Sequence, residues 1–350
     1  MSELTDVLDA IEEHHARGGQ MALATVVATR GSTYRRAGAR LLVPATGDPI
    51  GNISGGCLEG DVARIGRQVL RDGEPRTVEF DMTADDDAVW GYGLGCNGAI
   101  EVFVEPTSGA VESAAALRAA LGGEATVLAT VISGDRAGTR WSGTDGADGA
   151  NGAEGTDSAA AAALRDGTPR VVEVAGERVF YEPMLPPLRL VVCSAGHDAV
   201  PLVRQAAELG WRVTVADVRR ALLTHDRFAG ATDFVAADPD AAMGAIGPDD
   251  RTAVVLMSHN YLRDIAYLRS FLDAPLAYLG VLGPRGRTEQ MLAELGRAAA
   301  IERLHAPAGL DIGAEGPEEV ARAIVAEILA VTRGRHGGPL RERGGPIHGD

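Results

Sequence analysis

Residues 191–199 read Val-Val-Cys-Ser-Ala-Gly-His-Asp-Ala, an apolar run that passes through a tight turn into the start of a helix. Aligned with the dinucleotide-binding pattern G-x-G-x-x-G/A, the stretch supplies Gly196 and Ala199. Ser194 stands where the pattern has its first glycine. Gly196 would let the backbone approach a pyrophosphate, and His197 follows it within the same turn. The stretch therefore predicts a strand–turn–helix unit with a ligand at its turn.

An acidic residue follows this turn at the sequence spacing at which dinucleotide-binding units place a ribose-binding acid. Asp217 ends the next apolar run, 21 positions after Gly196. In dinucleotide sites an acid at this place accepts hydrogen bonds from a ribose. The pattern predicts a nucleotide site, and the alternative is a scaffold that binds another ligand, or none, in its crevice.

Strands and helices alternate through the rest of this region. Further strands are predicted at 212–216, 253–257 and 277–282, and helices at 199–209, 262–272, 288–298 and 318–332. Such alternation predicts a parallel sheet covered by helices on both faces. We therefore expect the α/β class, with a Rossmann-like, doubly wound parallel-sheet domain at 188–333.

Polar residues follow two of these predicted strands. Ligands of open parallel sheets bind beyond the carboxyl ends of the strands, and Ser258, His259 and Asn260 occupy that place. Arg285 and Arg287 lie between another strand and a helix, where guanidinium groups and free backbone N–H groups favour a phosphate. A structural role for a single histidine after a strand is equally compatible with the pattern.

The first part of the chain predicts a separate α/β domain at 1–133. Apolar runs predict strands at 21–28, 40–43, 100–104 and 127–132, and apolar stripes at helical spacing predict helices at 4–11 and 58–69.

Two cysteines of this domain lie in glycine-rich loops. Cys57 follows Ser54, Gly55 and Gly56 and precedes the second predicted helix. The positive end of a helix favours the thiolate form, which can hold a soft metal or attack an electrophile. Cys96 lies in a second loop of the same composition. The alternative is that both are small buried residues in tight turns.

Other residues of interest flank these loops. Tyr34, Arg35 and Arg36 precede the Cys57 loop and offer groups for a small anion. Cys193 lies within a predicted buried strand, and we interpret it as a core residue.

The two domains are separated by segments of different composition. Gly, Ala, Asp, Thr and Ser dominate 134–168, which predicts a largely flexible insertion. A hairpin and a Pro-rich linker are predicted at 169–187, and a disordered tail at 334–350.

Composition excludes several classes of protein. The 350 residues carry 33 basic and 49 acidic side chains, a net charge of −16, which disfavours nucleic-acid binding. All basic residues are arginine, so chemistry that needs a lysine is excluded. No apolar run is long enough for a membrane span, and the acidic start lacks a secretory pattern, so we expect a cytoplasmic protein. Three cysteines are too few for a disulfide scaffold.

Taken together, these motifs resemble the XdhC/CoxI family of accessory proteins for xanthine dehydrogenase, carbon monoxide dehydrogenase and related molybdenum hydroxylases. The resemblance rests on segments 24–34, 51–59, 93–98, 180–183, 195–202, 258–261, 282–288, 309–314 and 317–321. It covers nearly the whole chain except 134–168 and the tail. Ser194 and Asn97 depart from the residues often found at these places.

The resemblance implies a maturation factor without turnover of its own. Such a factor binds molybdenum cofactor, a molybdopterin, supports its sulfuration, and inserts it into an apo-molybdenum hydroxylase. It implies a homodimer, a cysteine desulfurase as sulfur donor, and molybdopterin cytidylyltransferase as a further candidate partner.

Combined with the loop chemistry, the resemblance assigns roles to the candidate residues. Cys57 would contact or guard the molybdenum, while Arg285, Arg287 and backbone N–H groups near Gly196 would hold the phosphate end. The full predicted cofactor-binding set is Ser54, Gly55, Gly56, Cys57, Glu59, Cys96, Gly196, His197, Asp217, His259, Arg285 and Arg287.

Two other functions stay open from the sequence. The first is an NAD(P)-dependent oxidoreductase that uses Gly196, Ala199 and Asp217, with His259 as proton donor. The second is a non-catalytic sensor whose crevice reports nucleotide status to a partner.

Overall fold

The computed structural model describes residues 3–82, 98–122, 124–143 and 156–344. Within them the chain forms two compact units, Glu3–Pro186 and Pro187–Glu342. We predicted the second domain to begin at 188.

The first unit is built on an antiparallel sheet of five strands in the order β3-β2-β1-β5-β4. The strands are β1 (Met21–Gly31), β2 (Arg40–Pro44), β3 (Ile50–Gly51), β4 (Arg76–Asp81) and β5 (Gly98–Glu105), and the helices are α1 (Glu3–Ala16), α2 (Glu59–Asp72) and α3 (Thr107–Gly122). Successive side chains of β1 point to opposite faces, so Ala24 packs with α2 and Leu23 packs with α1 and α3. The sheet is therefore covered on both sides.

A second antiparallel sheet completes this unit. Its strands are β6 (Thr126–Val131), β7 (Arg140–Ser142), β8 (Arg170–Val174) and β9 (Glu177–Met184), in the order β7-β6-β9-β8. Helix α4 (Thr156–Asp166) packs against it through Ala159, Ala160 and Ala163. The hairpin predicted in 169–187 is formed by β8 and β9, and it is part of this sheet.

The interpretation of 134–168 as a largely flexible insertion is wrong where the structure describes it. The segment contains β7 and α4, and residues 144–155 lie outside the described residues. Alanine has the highest helix propensity, and its small side chain lets a helix approach a sheet closely. A segment poor in large apolar side chains can therefore still pack.

Two buried ion pairs join the two sheets. Arg40 of β2 binds Glu182 of β9 through two parallel contacts, 2.5 Å (Nη2–Oε2) and 3.0 Å (Nη1–Oε1). Arg140 of β7 binds Glu105 of β5. Burial raises the pKa of the Glu105 carboxyl above its ordinary value, although the charge of Arg140 opposes this shift. The sequence patterns did not reveal either pair.

The second unit is a parallel sheet of five strands in the order β12-β11-β10-β13-β14. Its strands are β10 (Arg189–Cys193), β11 (Arg212–Ala216), β12 (Asp233–Val235), β13 (Thr252–Leu256) and β14 (Tyr278–Val281). Its helices are α5 (Ala199–Glu208), α6 (Ala242–Ile246), α7 (Tyr261–Phe271), α8 (Arg285–Glu294) and α9 (Pro317–Thr332). The predicted Rossmann-like, doubly wound α/β architecture is confirmed.

Alternating residues of β10 serve the cores on the two faces of this sheet. Leu190 and Val192 pack with α5 and α9, whereas Val191 and Cys193 pack with α7 and α8. Cys193 is fully buried, which raises the pKa of its thiol well above the ordinary value, so its interpretation as core is confirmed.

Part of the predicted disordered tail is described. Residues 334–344 contain one short 3-10 turn, Leu340–Glu342, and 345–350 lie outside the described residues.

The packing of α4 leads to a first prediction. Ala163 is fully buried and Ala161 of the same helix is exposed. We expect Ala163→Glu to lower the free energy of unfolding by about 3 kcal/mol or more, because it buries an unpaired charge. Ala161→Glu should change it by less than about 0.5 kcal/mol. Urea unfolding of both variants measures this, and equal effects would show that α4 does not pack.

Candidate functional site

The loop that carries Cys57, which we call the cysteine loop (residues 52–58), lies between β3 and α2. Gly55 and Gly56 are exposed and have φ of +82° and +110°, a backbone conformation that favours glycine. Cys57 is half-buried, and α2 begins two residues later at Glu59. The thiol thus lies at the start of the helix, beside an open glycine turn.

Glu59 holds this loop together. Its Oε1 accepts from the backbone N–H groups of Ile53 (3.1 Å) and Ser54 (2.9 Å), and its Oε2 accepts from Gly56 N (2.9 Å) and from the Ser54 hydroxyl. Ser54 Oγ in turn accepts from Leu58 N at 2.8 Å. Burial opposes ionisation of the Glu59 carboxyl, but these hydrogen bonds outweigh it and lower the pKa. Glu59 and Ser54 therefore bind the loop's own backbone.

This arrangement changes the electrostatics expected at Cys57. The positive end of α2, which we expected to favour a thiolate, already has the Glu59 carboxylate against it. Three loop N–H groups that could have bound an anionic ligand donate to this carboxylate, and Gly55 N donates to Asn52 Oδ1 at 2.8 Å. What the loop leaves exposed is the surface of the two glycines beside the half-buried thiol. Cys96, the other predicted thiol, lies outside the described residues.

In the second unit, Ser194 closes the turn after β10. Its buried hydroxyl oxygen accepts from Gly196 N at 2.8 Å. A Cβ at Gly196 would stand 2.9 Å from that oxygen, so only glycine fits without a shift. Ser194 therefore stabilises the turn in which the sequence pattern expects a first glycine. The neighbouring His197 is exposed.

Asp217 makes four hydrogen bonds within the protein. Its Oδ1 accepts from Arg219 N (2.8 Å) and Nε (2.9 Å), and its Oδ2 accepts from Ala195 N (2.7 Å) and Arg219 Nη2 (2.7 Å). Burial opposes ionisation, yet these bonds lower the pKa of Asp217 to about 2. A carboxylate has about four acceptor positions, so a ribose would have to displace Arg219.

The strand order of the parallel sheet reverses between β10 and β13, and His259 lies beyond the carboxyl end of β13 at this place. It follows β13, has a φ of +56°, and its Nε2 contacts the carboxylate of Asp198 beyond β10. Asp198 stands at the N-cap of α5, yet its side chain makes no capping hydrogen bond. A non-glycine residue in this backbone region is strained, and such strain is common at functional sites. Sequence reasoning singled out His259 but missed Asp198.

The two candidate arginines differ in environment. Arg287 Nη2 donates to buried Asp264 at 2.7 Å, and Asp264 also accepts from Ser258 N at 3.1 Å. Arg285 is exposed and pairs with Glu289 at 2.9 Å on the same helix. Arg287 of α8 thus binds an acid of α7, and a phosphate role for either arginine stays a prediction. Asp264 was missed, although an acid on the apolar face of α7 was a readable signal.

Two general properties of the described residues bear on function. None of the groups of His, Cys, Asp and Glu in the described parts of the chain could supply three ligands to a metal ion. Among the helices that the structure describes, none combines the length and hydrophobicity that crossing a bilayer requires.

Comparisons with known proteins agree with this architecture. Residues 190–328 match the model of the XdhC Rossmann domain, and residues 14–81 match that of the XdhC and CoxI family. The chain is 31% identical to a Bacillus subtilis protein described as a probable xanthine dehydrogenase subunit, over 94% of this chain and 97% of that one. It is 28% identical to an uncharacterized protein, YqeB, of Escherichia coli, of whose length it covers 46%.

A solved structure shows the same fold over the whole chain. A crystal structure described as a xanthine dehydrogenase from Bacillus halodurans superposes with a TM-score of 0.72 at 26% identity. The match covers 95% of this chain and 97% of the other. The sequence motifs, the two-unit architecture and these matches lead to one conclusion: the chain belongs to the XdhC and CoxI family.

Proposed function

We propose that the protein is a maturation factor that carries molybdenum cofactor at the cysteine loop and delivers it to an apo-molybdenum hydroxylase of the xanthine dehydrogenase type. One observation carries the proposal: a half-buried thiol lies beside two exposed glycines in a loop whose charged group is already bound internally. Family membership and the Bacillus subtilis relative, which is described as part of a xanthine dehydrogenase, support the choice of target.

The loop suits the chemistry of this cargo. Molybdenum in the cofactor is held by the two sulfurs of the pterin dithiolene, so the protein needs to add few ligands. Cys57 can add one soft sulfur donor. A Cβ at Gly56 would meet no atom of the described residues within 4 Å, so this part of the loop leaves room for a bulky ligand.

In this function the chain's own residues bind and present the cargo. Glu59 and Ser54 fix the backbone on which Cys57 is presented, and the half-burial of Cys57 limits the access of water and oxidants to its sulfur. We further propose that a cysteine desulfurase acts on the loaded factor, that the factor works in the cytoplasm as a homodimer, and that molybdopterin cytidylyltransferase is a further partner.

A second candidate function is NAD(P)-dependent oxidation or reduction in the second unit. The exposed His259 held by Asp198 at the switch point of the sheet favours it, because a carboxylate-oriented imidazole can transfer a proton. The saturation of Asp217 disfavours it. A titration with NAD⁺ and NADP⁺ discriminates between the functions, since hydride transfer requires a bound nicotinamide and the carrier function does not.

The proposal predicts a specific effect of removing the thiol. We expect Cys57→Ala to lower the pterin bound per protein by roughly tenfold or more, because the only protein sulfur in the cysteine loop is lost. The protein is purified anaerobically after expression with its target hydroxylase, and the pterin is released, oxidised to its fluorescent form and quantified.

Cys193→Ala is the matched control for this substitution. It removes a fully buried thiol in the second unit and should leave pterin content unchanged. Cys96→Ala tests the other predicted thiol in the same assay. Full pterin content in Cys57→Ala would contradict the proposal.

The loop geometry leads to a prediction for Glu59. We expect Glu59→Gln to lower the free energy of unfolding by about 1–2 kcal/mol. The amide NH₂ of Gln cannot accept the hydrogen bonds that the loop N–H groups donate to the Glu59 carboxylate. Pterin content should fall as well, because the loop that presents Cys57 loses its fixed shape. Asp61→Asn, on the first turn of the same helix, should leave pterin content at the wild-type level. Wild-type stability and loading in Glu59→Gln would contradict this role.

Asp217 predicts a pH dependence of stability. Its pKa of about 2 in the folded protein lies below the ordinary value of 3.8. Its contribution is therefore complete above pH of about 4 and is lost as the pH falls through about 2. We expect Asp217→Asn to lower the free energy of unfolding by about 1–2 kcal/mol at neutral pH, with a smaller difference from wild type in acid. Urea unfolding against pH measures this. Exposed Asp226→Asn is the control, and a pH-independent difference would contradict the assignment.

A further inference from the structure

Tyr34 lies against the cysteine loop and is unusually exposed. With 63% of its surface accessible, it is the only aromatic residue among the exposed large hydrophobic residues of the described chain. A Cβ built on Gly55 would meet the Tyr34 ring atoms Cδ1, Cγ and Cε1 at 3.1–3.3 Å. The ring therefore rests on the backbone of Gly55, and a larger residue at 55 would push it away.

The turn that carries Tyr34 is held on both sides. The hydroxyl of Thr33 donates to the backbone oxygen of Arg35 at 2.9 Å. Arg35 Nη1 binds Glu3 of α1 at 2.7 Å. The backbone on either side of the ring is thus fixed by contacts that do not involve the ring itself. With most of its surface accessible, the ring offers a face to which a flat ligand can bind.

We propose that Tyr34 stacks on the pterin ring system of the cargo while Cys57 binds at the metal end. This inference rests on the proposed function of the cysteine loop. Gly55, on which the ring rests, and Cys57 are two residues apart, so their Cα atoms lie within about 7 Å of one another. That spacing suits a planar fused-ring ligand whose dithiolene lies at one end.

Stacking on Tyr34 would bind the pterin ring, which a thiol at the metal end does not contact. A pterin is flat, heteroaromatic and rich in hydrogen-bonding groups, like a nucleobase, and aromatic side chains bind bases through their faces. An aromatic face adds affinity without adding charge to a loop that already contacts the Glu59 carboxylate. Because stacking needs only a flat ring, the phenolic hydroxyl should contribute little.

The test measures pterin binding and not the activity of a loaded hydroxylase. Molybdenum cofactor extracted anaerobically from a purified molybdenum hydroxylase is titrated onto the full-length apo-protein. The retained pterin is quantified after filtration, release and oxidation. We expect Tyr34→Ala to weaken binding by about tenfold, within the range found for bases stacked on aromatic side chains. Tyr34→Phe and Tyr34→Trp should bind within about twofold of wild type, whereas Tyr34→Leu should resemble Tyr34→Ala.

Control variants separate stacking from loss of structure. Leu262→Ala removes another exposed apolar side chain, 76% accessible and in the second unit, and should leave binding unchanged. The urea concentration at the unfolding midpoint should be the same for Tyr34→Ala and wild type, since the ring is a surface group.

The outcomes distinguish this inference from the proposed function. If the wild-type protein retains no pterin, both the proposed function and the stacking role of Tyr34 are overturned. Retention by wild type, loss in Cys57→Ala and normal binding in Tyr34→Ala overturn the stacking role alone. Normal pterin binding by Tyr34→Ala combined with failure to activate the hydroxylase also overturns it, and would assign Tyr34 to contact with the target. Equal weakening in Tyr34→Phe and Tyr34→Ala overturns stacking in favour of a role for the hydroxyl.

Discussion

The buried pair of Arg40 and Glu182 constrains both the first unit and its candidate site. It joins the two antiparallel sheets through a bidentate contact, and such contacts fix direction as well as distance. The backbone oxygen of Arg40 also accepts from Asn52 N at 3.2 Å, where the cysteine loop begins. A Cβ at Gly51 would stand 2.4 Å from that oxygen, so the chain enters the loop along one path. Arg40 therefore contacts the start of the cysteine loop through its backbone and β9, much later in the sequence, through its side chain.

Sequence patterns predicted those elements whose formation depends on residues close to one another in the sequence. The apolar run of β10, the turn at Gly196 and the start of α2 were all readable, because each depends on neighbours in sequence. The strand β12 was not predicted, since a run of three residues is too short to show the alternation of a strand. The pairing of Arg40 with Glu182 spans 142 positions, and no periodicity relates such residues. The prediction of a largely flexible segment at 134–168 was wrong at α4, because a low content of large apolar residues does not prevent a helix from packing through alanines.

The candidate site shows the same limit at the level of single side chains. Glu59 begins α2 and Asp217 follows β11, and the sequence analysis expected both to contact ligands. In the structure each carboxylate is bound by backbone N–H groups close in sequence or in space, with an added side-chain donor, Ser54 or Arg219. A sequence reveals that an acid is present, but it does not reveal how many donors the folded backbone presents to it. Acids near tight turns are therefore weak predictors of ligand contacts.

In the cysteine loop, the groups that stabilise the protein differ from those proposed to bind the ligand. This separation suits a carrier better than a permanent cofactor site. Its charged group stabilises the protein, and the proposed ligand contacts are one thiol and one aromatic face. A carrier has to release its cargo to another protein, so binding by many ligands would oppose delivery. In the proposed carrier, a single sulfur donor and a stacked ring would provide orientation at modest affinity, and the half-burial of Cys57 would limit access to its sulfur. With so few contacts, the factor would hold its cargo and still release it to the target. The glycines limit the number of contacts, because they place no side chains beside Cys57.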